Sequence, residues 1–147
     1  MDRALRKKIA GMLDGQKLGI LATQGRSYPY QNIVAFAAGR DLKTIVFATR
    51  RGTSKYGHLT RCRRVAVFVD DRANREADFQ DATGITALGA AGETRGKERA
   101  RSARLLLRRH PFLKEFLAEP DCAVFVVRVR VYVVVLRFEK VIEVRVG

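Results

Sequence analysis

Residues 46–70 read V-F-A-T-R-R-G-T-S-K-Y-G-H-L-T-R-C-R-R-V-A-V-F-V-D. Val46 to Thr49 and Val65 to Val69 are short apolar, β-favouring runs, so the segment is expected to fold as strand, helix, strand. Thr53 or Ser54 can serve as the N-cap of a helix running to about Arg61. The start of such a helix offers unpaired backbone N–H groups and the positive end of the helix dipole. Hydroxyls at Thr49, Thr53 and Ser54 and cations at Arg50, Arg51 and Lys55 surround those donors, which together read as a phosphate cradle. The blander reading is a solvated turn whose hydroxyl only caps the helix. Neither G-x-x-x-x-G-K-[ST] nor G-x-G-x-x-G occurs, so a P-loop kinase and a dinucleotide-binding site are both unsupported.

The 147 residues, 47% hydrophobic and 30% charged, are expected to form one globular unit over residues 1–147. The charged N-terminus and the shortness of Leu18 to Ala22 argue against a signal peptide or membrane span, and the expected location is cytoplasmic. Cys62 and Cys122 show neither C-x-x-C nor metal-ligand spacing and read as free thiols, with no metal site. The formal charge is +14, and 21 of the 29 cations are arginine. An excess of this kind attracts polyanions, so a basic nucleic-acid-binding barrel, with Arg61, Arg63, Arg64 and the helix around Arg104 on phosphates, is the rival reading. The cations are spread from Arg3 to Arg145 without a helix-turn-helix, zinc-finger or RNA-binding aromatic motif, which leaves nucleic acid the less favoured partner.

Leu5, Ile9, Met12 and Leu13 give Asp2 to Leu13 the apolar stripe of an amphipathic helix ending near Gly15. L-G-I-L-A-T is a first strand. Tyr30 to Ala38 is a second, apolar except for Gln31 and Asn32, whose amides need partners if buried. Gly39 to Lys43 is a turn into the third strand. His58 is expected to be structural, and Asp70 and Asp71 to face opposite sides of a strand end, with Arg72 or Arg75 as a partner. Ala73 to Ala82 reads as a loop with at most a turn of helix, followed by a small-residue strand in which Gly84, Gly89 and Gly92 permit bulges or close approach. Lys97 to Arg109 is helical. Pro111 starts another helix, with Phe112, Leu113, Phe116 and Leu117 as its buried face. Cys122 to Leu136 and Phe138 to Val146 are valine-rich strands. The expected class is mainly β, an α+β arrangement in which a largely antiparallel barrel carries flanking helices. Long valine runs would be hazardous as free edges, and a twofold homodimer is expected to hide some of them.

The strand Y-Q-N-I-V-A-F-A, the hairpin into I-V-F-A-T, and T-S-K opening a helix that ends R-C-R-R-V-A-V-F-V-D resemble the pyridoxamine 5′-phosphate oxidase-like family of flavin mononucleotide (FMN)-binding split barrels. That resemblance implies FMN as cofactor, with deazaflavin F420 or haem as the alternatives among relatives. It implies a homodimer holding the cofactor at the subunit interface, and oxidoreductase activity on an unknown small molecule. The implied cofactor-binding positions are Gln31, Asn32, Ile33, Val34 and Phe36 along the ring system, and Ala48, Thr49, Arg50, Thr53, Ser54 and Lys55 around the phosphate. The arginine and lysine that family members oxidising vitamin B6 carry near Asn32 and Ala37 are missing, and the chain has no tryptophan. Oxidation of that vitamin is therefore not implied. A non-catalytic flavin store or sensor is the remaining alternative.

Overall fold

The computed structural model describes residues 1–147. Seven strands, β1 (Leu18–Gln24), β2 (Pro29–Ala38), β3 (Thr44–Arg50), β4 (Arg64–Asp70), β5 (Thr83–Glu93), β6 (Cys122–Leu136) and β7 (Lys140–Arg145), form one antiparallel sheet in the order β3-β2-β1-β4-β5-β6-β7. A further pairing of β3 with β6 closes six of them into a barrel. Closure depends on β6. Its first half, Cys122 to Arg128, pairs with β3, its second half, Val131 to Leu136, pairs with β7, and its other edge pairs with β5 along almost its whole length. Sharing one long strand in this way leaves the valine run no free edge.

Inward-facing side chains fill the barrel, among them Leu21, Phe36, Ile45, Phe47, Val67, Ile85, Phe125, Tyr132 and Val134. Helix α1 (Arg3–Gly15), capped by the Asp2 side chain, adds Ile9, Met12 and Leu13 to the same core. The turn before β3 carries Leu42 at φ 64, a conformation unusual for a branched residue, yet Leu42 is buried. Its carbonyl accepts a 2.7 Å hydrogen bond from the Tyr132 hydroxyl, whose burial pushes its pKa up. A second, smaller core lies outside the barrel. There α4 (Gly96–Arg109), a 3-10 turn at Pro111–Leu113 and α5 (Lys114–Ala118) cover Ala37, Val46, Val124 and Val126.

The barrel is split. Helix α2 (Ser54–Arg61) crosses from β3 to β4 at the point where β2 and β3 separate, for these two strands pair only through Phe36 to Ala38. The outer surface of β1, β4, β5 and the second half of β6 carries no long helix; the one-turn α3 (Asp78–Asp81) stands only at its rim, where Phe79 lines a cavity with Phe68 and Gly84. In register across it run Ile33, Ile20, Phe68, Thr86 and Val133, one residue from each of five strands. Ile33, Leu18 and Leu88 on this face are 66%, 54% and 40% exposed.

Several expectations need correction at their edges. The last strand begins at Lys140, because Arg137 and Phe138 take positive φ in the turn. Phe112, expected in the buried face of the last helix, is 75% exposed; Leu117 is the buried residue there. The small residues of β5 behave as expected. The ladder with β6 shifts register between Leu88 and Gly89, and a Cβ on Gly89 would lie 2.2 Å from the Arg128 carbonyl oxygen. Gly89→Ala is therefore expected to lower the free energy of unfolding by about 2 kcal/mol or more in urea titrations, at the upper end of overpacking costs. Gly11→Ala, in open space on α1, is expected to raise it by about 0.4 to 1 kcal/mol.

Candidate functional site

Where β2 and β3 part, a cavity of about 180 Å³ opens. Ile33, Val34 and Ala35 of β2 line one side and Ala48 of β3 the other. Leu113 and Phe116 close it from the outer layer, and Lys55 enters from the first turn of α2. Every lining residue except Lys55 is apolar.

Lys55 forms no hydrogen bond and no ion pair, although it is only partly exposed. Burial in this apolar setting pulls its pKa below the ordinary lysine value. An ammonium held without a counter-charge is a cost to the fold, and an anion in the cavity would relieve it. Two backbone groups point the same way, since the amides of Ser54 and Lys55 open α2 and reach no backbone acceptor. Asn32 supplies a second unmet polar atom. Its Oδ1 is buried without a donor while its Nδ2 donates weakly, at 3.4 Å, to the Ile33 carbonyl.

The remaining expected residues divide sharply. Thr53 is the N-cap of α2: its Oγ1 accepts from the Tyr56 amide and donates to the Arg50 carbonyl. Thr49 is buried, and its hydroxyl lies 3.2 Å from that of Thr53. Both threonines thus shape the loop. Ser54 is exposed beside the free amides. Arg50 is ion-paired with Asp121 at 2.9 Å and lies over the Phe116 ring at 5.1 Å, so it backs a lining residue without lining the cavity itself. Arg51 bonds the Pro120 carbonyl and Glu93. Gln31 is exposed on β2 and Phe36 is in the barrel core, so neither lines the cavity. The structure therefore brings Ile33, Val34, Ala48 and Lys55 together around one space, with Asn32 and Ser54 adjacent in the chain.

Glu93 and Tyr56 carry no signal in the sequence, and only their neighbours in the fold reveal them. The Tyr56 hydroxyl donates to Glu93 at 2.7 Å, and Arg51 binds the other carboxylate oxygen at 2.8 Å. Burial alone would raise the Glu93 pKa, but the Tyr56 and Arg51 bonds and the charges of Arg51 and Arg95 outweigh it and hold the carboxyl below its usual range. This triad fixes the loop before α2. His58, as expected, is structural: it shares a hydrogen bond with Thr23 and packs edge-on against Tyr30. Asp70 and Arg72 pair at 3.0 Å, and Asp71 instead accepts the Thr83 amide. No group of three or more potential metal ligands exists. No helix is long and apolar enough to cross a membrane.

A larger cavity, about 710 Å³, lies elsewhere, between the Arg72–Ala82 loop and the β6–β7 turn, where Phe79 and Phe138 meet edge to face. A smaller one over β1 and β4 shares Phe68 and Asp70 with it and Ile33 with the cavity at the split. The three therefore follow one another along the uncovered apolar face.

These features define the class of split β-barrel proteins with an anion-ready helix start at the split. Comparison with known proteins narrows it: a family profile described as pyridoxamine 5′-phosphate oxidase matches residues 5–135, and the chain belongs to that family. No curated protein sequence matches the chain. Among solved structures, a heme binding protein from Mycobacterium smegmatis superposes with a TM-score of 0.86 at 16% identity, covering 99% of this chain and 59% of that one. Campylobacter jejuni ChuZ gives 0.81 at 9% identity over 99% of this chain and 61% of its own. General stress protein 26 from Bacillus anthracis gives 0.72 at 17% identity, covering 96% and 98%. The chain thus spans about three fifths of the first two. At these identities the likeness is one of fold.

Because Glu93 has a depressed pKa in the fold, its contribution to stability is present above the unfolded glutamate value of about 4.3 and is lost as pH falls through the lower folded value. The stability difference between wild type and Glu93→Gln, followed by urea denaturation, is expected to be largest near neutrality and to shrink below about pH 4.3.

Proposed function

We propose that this chain is an FMN-binding flavoprotein of oxidoreductase type that works as a homodimer on a small-molecule substrate. The observation that carries the reading is Lys55, a half-buried cation without a counter-charge, in an apolar cavity beside the free amides of a helix start. Those groups suit a phosphate. Ser54 and Lys55 would hold it, Ile33, Val34 and Ala48 would contact an aromatic ring, and the orphaned Asn32 oxygen would accept a ring N–H. The flavin, when bound, would supply hydride or electron transfer, and the protein would bind it, orient it and exclude water. Arg50 and Arg51, already engaged with carboxylates, are assigned to supporting Phe116 and the loop instead of the phosphate.

The size of the cavity supports the dimer. Sites that enclose a ligand of this class generally measure roughly 300 to 1,000 Å³, well above the 180 Å³ that one chain provides at the split. The uncovered apolar face begins at Ile33, on the cavity's own lip, so a second copy seated there would roof the site and bury the exposed apolar side chains together.

A haem reading draws on the heme binding protein among the structural neighbours, but the cavity wall holds no histidine, cysteine, methionine or tyrosine to serve as an axial ligand. Both histidines are bonded elsewhere. Deazaflavin remains compatible with the cavity and is separated from FMN by identifying the released chromophore.

The purified protein is expected to be yellow, to show a flavin absorption band, and to release FMN on heating in near-equimolar amount. A colourless protein that takes up no added FMN would overturn the proposal. Lys55→Ala is expected to raise the FMN dissociation constant about 10- to 150-fold, on the scale of a charge-assisted contact. Lys55→Met is expected to weaken binding similarly while raising the stability of the flavin-free protein by about 0.5 kcal/mol or more, as replacing a strained functional residue commonly does. Leu88→Asp, on the uncovered face and away from the cavity, is expected to sediment near 16.5 kDa where the wild type sediments at twice that mass.

A further inference from the structure

Helix α4 sorts its cations by face. Arg99 donates to the Leu117 and Cys122 carbonyls, and Arg109 donates to the Asp14 and Gln16 carbonyls with its guanidinium over the Phe36 ring at 5.4 Å. Next to it, His110 is buried and donates to the Phe36 carbonyl at 2.8 Å. Leu106 and Ser102 are buried as well, and Leu105 and Leu107 pack on the outer core. These contacts fix the rotation of the helix about its axis. What remains outward is Lys97, Arg101, Arg104 and Arg108, all exposed.

At 3.6 residues per turn the four lie within an arc of about 60° and span about 16 Å of helix. None is in an ion pair. The only carboxylate on the helix, Glu98, is engaged by Arg128 at 2.9 Å. An ordinary solvated helix face mixes signs at i, i+4 spacing, which relieves repulsion. This one carries four like charges in a row, in a chain of net charge +14 whose ion pairs use only five of 29 cations.

We propose that this outer face of α4 is a second binding surface, one that takes the phosphate backbone of a nucleic acid without reading its sequence. Duplex DNA presents a phosphate every 3.4 Å or so along each strand, so a ladder of this length meets several of them, and arginine suits phosphate geometry. The arrangement favours a nucleic acid over an anionic membrane. A helix that lies on a membrane sinks an apolar face into the acyl boundary. The apolar face of α4 is already packed on the barrel, and beside the ladder only Ala100 is an exposed apolar residue on the helix. The surface also lies over β2, β3 and β6, apart from the uncovered face of β1, β4 and β5. It is independent of the flavin reading.

The test is fluorescence anisotropy of a labelled duplex of about 20 base pairs titrated with the full chain between about 50 and 200 mM salt. K97Q/R101Q/R104Q/R108Q is expected to reduce the slope of log affinity against log salt by about 3 to 4 units, near 0.9 for each phosphate no longer neutralised. The control K7Q/K8Q/R61Q/R64Q removes the same charge from exposed positions elsewhere and is expected to change the slope by less than about one unit. Thermal melts check that both fold, and the milder K97Q/R101Q is expected to give about half the reduction in slope. An equal reduction in both fourfold variants would overturn the proposal in favour of diffuse charge attraction. Absence of duplex binding at about 50 mM salt would overturn it outright, and binding to phosphatidylserine vesicles but not to the duplex would overturn it in favour of a membrane.

Discussion

Most of this architecture depends on β6 belonging to two neighbours along one edge. Its first seven residues complete the barrel against β3, and its last six hold β7 outside the barrel. Had β6 ended with β3, the alternating valines after Val129 would have formed a free edge, the arrangement most prone to pairing with other chains. Because β6 draws β3 around to close the barrel, β3 keeps only a short pairing with β2. The gap at the split is thus what closure leaves behind, and it falls at the end of β3 where the chain turns into α2.

That placement explains why the loop before α2 is so heavily tied. Thr53 caps the helix, Thr49 backs Thr53, Arg51 and Tyr56 converge on Glu93 from β5, and Arg50 reaches Asp121 at the start of β6. Each contact joins the loop to a different part of the barrel. A lysine left unpaired among so many satisfied neighbours is unusual, because a folded protein normally pairs or exposes its buried charges. The groups around Lys55 tie the loop to the barrel, and Lys55 itself is left without a counter-charge.

Much of this was legible in the sequence, and the reasons for the rest are physical. Strand alternation and the breaks at Gly15, Pro111 and Pro120 marked the elements, since side-chain period and backbone chemistry are local. The T-S-K helix start was legible for the same reason. The duties of Arg50 and Arg51 were not, because their partners lie 71 and 42 residues away and only closure of the barrel brings them together. The cap formed by Thr53 was legible too, whereas its contact with Thr49 was not, because a capping threonine and a phosphate-binding threonine have the same side chain. Phe112 was assigned to a buried face from helical spacing, but Pro111 opens a 3-10 turn whose period differs. The uncovered face across β1, β4 and β5 was hidden for another reason. A strand apolar on both sides reads identically whether its outer side meets a helix or a second copy of the chain.

Helices α4 and α5 show how the two surfaces of the molecule come to differ. Both sides of the barrel are apolar, yet only one is covered, and what covers it is anchored by Arg109 and His110 to the backbone at the end of α1 and on β2. Anchoring at backbone carbonyls demands little of the partner's side chains, so the covering layer is free to present charge outward, and α4 does so with a row of cations. The uncovered side has no such layer and presents Ile33, Leu18 and Leu88 directly. Apolar side chains in that position gain by meeting another apolar surface, whereas a row of like charges gains by meeting an opposite one. The division of the molecule into an apolar and a cationic surface is therefore decided by where the covering layer stops, at Phe116 and Leu113 on the lip of the split.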